Sequence, residues 1–370
     1  MPIEFSAKIA RIPAYPVAAG YDLGADVAML ASNETPFPPL EPVVEAASRA
    51  ALAINRYPDP SYMQLRQALA ERYELPWQHV ALGAGSCEIL LAAGEALLEP
   101  GAELVYAWPS FSVYPQLAAA TGAREIKVAL NAEAEHDLDA MLAEVTVATR
   151  LVVICNPNNP TGTALPLERI EQFLEALPDH VCVILDEAYI EFSLTVGDPL
   201  ASLPLLKRFP NLVLLRTFSK AYGLAGLRVG YGLCGSEAFR IAVDQVRQPF
   251  YLTAAAQAAA VTALAYQDEV ERRVSATIAA RLSVSAALRE LGLWVAESDA
   301  NFLWVKLAED DRPLVEGLRQ RGVLVRGGSA LGGVGHARVT LGSEAENAKF
   351  LSALSATMAE LPALCSPTER

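Results

Sequence analysis

Lys220 stands in Ser219-Lys-Ala-Tyr-Gly223, just past the apolar run 212–215. A lysine at the end of a buried strand lies against a desolvated cleft. Burial disfavours the ammonium, depresses its pKa and makes the amine a nucleophile toward an aldehyde. Alone, a strand-end lysine is more often a surface residue, so its neighbours carry the argument. Arg228, in Gly226-Leu-Arg-Val-Gly230, offers a fork that suits a phosphate dianion. Thr217 and Ser219 bring hydroxyls beside the lysine. Upstream, Gly83-Ala-Gly85-Ser86 follows the apolar Val80-Ala-Leu and precedes a helical pattern over 88–98. A glycine turn that opens a helix presents backbone N–H groups to phosphate. Together these residues point to one phosphorylated aldehyde.

Asp186 closes a five-residue apolar run, where an isolated carboxylate is costly unless paired. A pyridinium N–H would pair it and keep the ring protonated as an electron sink; a helix cap or a structural ion pair is the plainer alternative. Tyr189, three residues on, and Asn159, in Asn158-Asn-Pro-Thr-Gly162, could both reach a phenolic oxygen on such a ring. The loop around Asn159 is also braced by two prolines, which is reason enough for a turn.

The elements that must position these groups follow from hydrophobic pattern. Leu151-Val-Val-Ile-Cys155, Val181-Cys-Val-Ile-Leu185 and Leu212-Val-Leu-Leu215 are continuously apolar, as strands buried on both faces are. A helical stretch over 167–177 separates the first two and makes a βαβ unit, hence a parallel sheet. Each run ends in a polar cluster, and ligands of open α/β sheets bind beyond the carboxyl ends of the strands. Residues 252–293 read as one long helix or two. Beyond them 301–306, a helix to Arg321, 323–326 and 337–341 read as a second βαβ-like stretch in a smaller α/β domain. The expected organisation is an N-terminal segment (1–40) packing on the small domain, a large domain (41–265) and a small C-terminal domain (266–370).

The chain has 370 residues, 52% hydrophobic and 19% charged, with a net charge of -14. That supports a large core and disfavours nucleic acid and anionic membranes as partners. The cysteines at 87, 155, 182, 234 and 365 have neither C-x-x-C spacing nor a histidine at metal spacing, so no disulfide framework and no metal site are expected. Residues 1–16 lack an apolar signal-peptide region, and the alanine-rich 252–266 is too short to span a bilayer. A soluble cytoplasmic enzyme is the expectation.

The set Asn158-Asn-Pro-Thr-Gly162, Asp186-Glu-Ala-Tyr189 and Thr217-Phe-Ser-Lys-Ala-Tyr-Gly-Leu-Ala-Gly-Leu-Arg-Val-Gly230 resembles the fold-type-I aminotransferases. More narrowly it resembles the histidinol-phosphate aminotransferase family and its aromatic-amino-acid branch. Ala31-Ser-Asn-Glu-Thr-Pro36, Arg56-Tyr-Pro-Asp-Pro60, Gly85-Ser86, 298–302 and Arg338 with Thr340 extend the likeness over 12–347. The resemblance implies pyridoxal 5'-phosphate as cofactor, bound to Lys220, which also moves the substrate's Cα proton. It implies Asp186 on the pyridine nitrogen, Tyr189 and Asn159 on the phenolic oxygen, and Gly85, Ser86, Thr217, Ser219 and Arg228 on the phosphate. Phe111 takes the ring-stacking position. Tyr57 would reach the neighbouring subunit's cofactor, which implies a homodimer with shared sites. Tyr15, Asn33, Arg326 and Arg338 would meet the substrate, the two arginines through its acidic groups.

Two departures bear on the substrate. Cys87 stands where the family has an acidic residue, and Phe111 where a tyrosine is commoner; Trp108-Pro-Ser-Phe-Ser-Val-Tyr-Pro115 is closer to the aromatic branch. The expected reaction is transamination of histidinol phosphate with 2-oxoglutarate in histidine biosynthesis. The alternative is an aromatic amino acid as donor, and a phosphorylated-amino-acid decarboxylase is a more distant one. A cofactor-binding DNA regulator is disfavoured by the acidity, and a nicotinamide dehydrogenase by the lack of G-x-G-x-x-G after a first strand.

Overall fold

The computed structural model describes residues 3–13 and 26–361. In chain order its strands are β1 (Ala28–Met29), β2 (Val80–Gly83), β3 (Glu103–Trp108), β4 (Arg124–Ala129), β5 (Thr149–Cys155) and β6 (Cys182–Asp186). They continue with β7 (Leu212–Thr217), β8 (Gly230–Cys234), β9 (Phe302–Lys306), β10 (Val323–Leu324), β11 (Arg326–Gly327) and β12 (His336–Thr340).

Seven of them form one sheet in the order β2-β8-β7-β6-β5-β3-β4. Its β4-β3-β5-β6-β7 portion is parallel, and β8 and β2 close it antiparallel. The continuous apolar runs have a direct structural reading. Successive side chains point to opposite faces, and both faces are covered. Val152, Ile154, Val183, Leu185, Leu212 and Leu214 enter one core. Their neighbours Leu151, Val153, Ile184, Val213 and Leu215 enter the other. The helix Leu167–Ala176 buries Ile170, Phe173 and Leu174 on the first face, and the helix Ser86–Leu97 buries Ile89, Leu90 and Ala93 on the second.

The stretch 252–293 is two helices, Ala254–Ala263 and Gln267–Glu290. After them the expected βαβ-like unit is present but split: β9 and β11 run parallel with the helix Arg312–Gln320 between them, and β12 is inserted antiparallel to both. β9, β12 and β11 form an antiparallel sheet in the order β11-β12-β9. The run 323–326 is not one strand. It breaks at Val325, and its first half, β10, pairs in parallel with β1 from the opposite end of the sequence. The short connection from β11 to β12 turns the chain straight back, so β12 lies antiparallel to β11 and between the two parallel strands. Ala28, Leu30, Leu303, Val339, Leu314 and Phe350 share this region's core. The closing helix Glu344–Glu360 starts from a reciprocal Ser343–Glu346 capping box.

No helix among the described residues is long and apolar enough to cross a membrane. Among them, too, no three His, Cys, Asp or Glu side chains gather as a metal site would need.

Candidate active site

A cleft of about 370 Å³ opens at the carboxyl ends of β5, β6 and β7. Of the residues singled out in the sequence, Asn33, Ser86, Phe111, Asn159, Asp186, Tyr189, Thr217, Ser219, Lys220, Arg228, Arg326 and Arg338 line it. Gly85 is the residue before Ser86, at the helix entrance. Tyr57 is not in its own chain's cleft; it is 81% exposed and stacks on Phe250 with ring centroids 4.5 Å apart. Tyr15 lies outside the described residues.

Lys220 follows β7 by three residues, and its Nζ donates to the backbone carbonyls of Ser32 at 3.1 Å and Asn33 at 3.0 Å. Burial, reinforced by the Arg338 charge, lowers its pKa to about 8. A substantial fraction of the amine is therefore neutral near physiological pH, as a nucleophile or proton acceptor must be.

Asp186 is the last residue of β6 and is buried. The Tyr114 hydroxyl donates to its Oδ2 at 2.8 Å, and the Ala188 N–H to its Oδ1 at 3.2 Å. Burial raises its pKa to about 6 despite these bonds. A cationic ring N–H would relieve that desolvation. Tyr114 is a site residue that the sequence reading passed over. It lies 72 positions from Asp186, and nothing in its local pattern marks it.

Tyr189 receives an N–H from Asn33 Nδ2 on its hydroxyl at 2.9 Å, and burial raises its pKa. Asn159 Oδ1 accepts from Arg338 Nη1 at 2.7 Å, while Arg338 Nη2 donates to the Ala31 carbonyl at 2.6 Å. Arg326 and Arg338 are directly opposite one another across the β11–β12 ladder, so both point from one face into the cleft.

At the other end of the cleft the Arg228 guanidinium lies over Gly85, in the space that a β-carbon there would fill. Gly85 has φ 80°, a left-handed conformation that glycine adopts at little cost. This turn, the N-terminus of the helix Ser86–Leu97 and the hydroxyls of Ser86, Thr217 and Ser219 gather donors of the kind a phosphate would need. Cys87 also lines the cleft; burial first, then the Asp186 charge, raises its thiol pKa.

The donor set fits a phosphorylated pyridine aldehyde: an amine depressed by burial, a buried carboxylate without a cation, and a glycine cradle under a guanidinium. Known proteins agree. The family model for aminotransferase class I and II matches residues 25–354. An aromatic amino acid aminotransferase of Thermobifida fusca is 47% identical over 327 residues, covering 88% of this chain and 89% of the relative. Another, from Rhodococcus erythropolis, is 43% identical over 344 residues and covers 93% of each. Among solved structures, a histidinol-phosphate aminotransferase of Sinorhizobium meliloti in complex with pyridoxal-5'-phosphate superimposes with a TM-score of 0.85 at 28% identity. The match covers 96% of this chain and 98% of that one. Class I and II aminotransferases depend on pyridoxal phosphate. With the family model and these relatives extending over nearly the whole sequence, the chain belongs to the class I and II aminotransferases.

Proposed function

We propose that this enzyme moves the amino group of an aromatic amino acid, such as phenylalanine or tyrosine, to a 2-oxo acid such as 2-oxoglutarate. The observation that carries this reading is the pairing of Arg326 with Arg338 in a cleft that also holds the apolar Leu331, beside Phe111 in the cofactor-stacking position. It supplies anion ligands for carboxylates and an apolar wall for a ring. Relatives at 47% and 43% identity bear the aromatic name. The histidinol-phosphate donor expected from the motifs has support only from more distant structural neighbours, at 28% identity. The aromatic alternative is therefore the better supported.

Bound pyridoxal phosphate supplies the electron-withdrawing ring that makes the substrate's Cα proton acidic. Lys220 would hold the cofactor before substrate arrives, and its Nζ would then take the Cα proton and give it up on the far side of the substrate's nitrogen. Asp186 keeps the ring nitrogen protonated, and Tyr114 orients that carboxylate. Tyr189 and Asn159 bind the phenolic oxygen. Arg228, Ser86, Thr217 and Ser219 hold the phosphate. Arg338 takes the α-carboxylate, and Arg326 the distal carboxylate of the dicarboxylic substrate. The enzyme works as a cytoplasmic homodimer in which Tyr57 completes the partner's site.

A steady-state panel of phenylalanine, tyrosine, histidine and histidinol phosphate as donors to 2-oxoglutarate tests the reading. The aromatic amino acids should show the highest kcat/KM. A clear preference for histidinol phosphate would reverse the assignment.

A further inference from the structure

We propose that Leu331 is a specificity-determining residue: it is carried on a rigid glycine-built hairpin and forms the fixed wall against which the donor's ring packs. The inference rests on the aromatic-donor reading and deepens it.

The hairpin runs between β11 and β12. It folds on itself through Leu331 N–H to the Gly328 carbonyl at 2.8 Å and Gly333 N–H to the same carbonyl at 2.9 Å. The buried carboxylate of Asp311 pins both of its legs. Oδ1 accepts from Ser329 Oγ at 2.5 Å, from Ser329 N at 3.2 Å and from Gly335 N at 2.9 Å. At its tip Leu331 is only 6% exposed, with Ala296 and Trp304 packed behind it and the cleft in front. Trp304 is itself stacked on His336, centroids 5.1 Å apart at 4°. The backing is therefore as firm as the hairpin.

The next residue fixes where that wall stands. Gly332, at φ 86°, lies so close to the Trp108 indole that a β-carbon would come within 2.5 Å of Nε1. Trp108 ends β3, and Phe111 follows three residues later. The hairpin thus abuts the segment that carries the other apolar cleft residue, and Leu331 and Phe111 line one space. Arg326, at the root of the same hairpin, sets an anion site a fixed number of residues from the wall. A braced wall cannot retreat from a poor fit. A ring gains by covering Leu331, while a carboxylate brought against it would be desolvated without a partner.

The test uses the holoenzyme and two unreactive acids, 3-phenylpropanoate and glutarate, with dissociation constants read by calorimetry and kcat/KM for phenylalanine and glutamate measured alongside. Leu331→Ala should weaken 3-phenylpropanoate roughly tenfold, the scale of one lost apolar contact surface, and lower kcat/KM for phenylalanine in step. Glutarate binding and glutamate turnover should stay within about twofold. Leu331→Met, which keeps the volume, should restore ring binding. Equal weakening of both acids, no weakening of either, or failure of Leu331→Met to restore ring binding would overturn the wall. A wild-type enzyme that turns over no aromatic donor would overturn the functional reading, and the wall with it.

Discussion

Arg338 donates from Nη1 to Asn159 Oδ1 at 2.7 Å, so the arginine assigned to the substrate's carboxylate is bonded to the amide assigned to the cofactor's phenolic oxygen. The two sites share a hydrogen bond 179 residues apart in sequence. A carboxylate arriving at Arg338 draws on the same guanidinium that orients Asn159. With the roles proposed above, substrate binding and the cofactor ring would be linked through one amide, and Lys220, whose pKa the Arg338 charge helps to depress, would be the third party to that link.

Lys220 gives the first prediction. Its ordinary pKa of 10.5 falls to about 8 through burial, then Arg338. The neutral amine captures an aldehyde, so the rate at which apoprotein captures pyridoxal phosphate should rise with pH and level off above about 8. Stopped-flow absorbance measures this. A rate still climbing toward pH 10 would mean that the amine is not desolvated. Borohydride should fix the cofactor to the Lys220 peptide, and Lys220→Ala should cost turnover roughly 10²–10⁴-fold or more.

Asp186 gives the second. Asp186→Asn should preserve the fold, judged by circular dichroism, yet slow Cα-proton removal by well over tenfold, each decade being about 1.4 kcal/mol of barrier. Tyr114→Phe removes only the hydroxyl at 2.8 Å from Asp186 and should produce a smaller loss in the same step. Isotope exchange at Cα reads both. Near-wild-type exchange in Asp186→Asn would leave the carboxylate a structural role alone.

The arginine pair separates the two half-reactions. Arg338→Ala should lower kcat/KM for every donor by roughly 2–4 kcal/mol, as expected for a buried charged partner. Arg326→Ala should spare phenylalanine and damage the dicarboxylate half-reaction. If Arg326→Ala instead damages histidinol phosphate most, the donor carries a phosphate. Full activity of both variants with every donor would remove the pair from the site.

Tyr57 predicts the assembly. It is exposed beside Leu52 and Ile54, at 87% and 79% exposure, and none of the three lies in its own cleft. Mixed dimers of Lys220→Ala and Tyr57→Ala protomers should each recover one intact site, so activity should return on mixing two impaired preparations. An active monomer in sedimentation would count against shared sites.

How much of this was legible beforehand depends on where the partners lie. β5, β6 and β7 could be read because a strand covered on both faces is apolar throughout, and Asp186 and Lys220 stood out as polar interruptions at their ends. In the small sheet the strand, helix and strand could be read, but the insertion of β12 between the two strands could not, because it is set by the turn that follows β11. Two-residue strands such as β1 and β10 are also too short to show a period. Tyr114 on Asp186 and the Leu331 hairpin were invisible for another reason: each acquires its role only from a contact across the fold.

Asn33 ties together groups that lie far apart along the chain. Its backbone carbonyl receives Lys220, its side chain reaches Tyr189, and its own N–H bonds to Thr340, 307 positions later. A ribosome makes the chain from the amino end. The segment holding Asn33 therefore emerges early, and its ties to β10 and to Thr340 wait until those strands have been made. The large sheet can assemble while translation continues, but the lysine's carbonyl partner is not tied to β12 until that strand has been made. A truncated product could resemble the enzyme in most of its fold and still lack the last tie that sets its lysine. The lysine's setting thus depends on strands made well after the lysine itself.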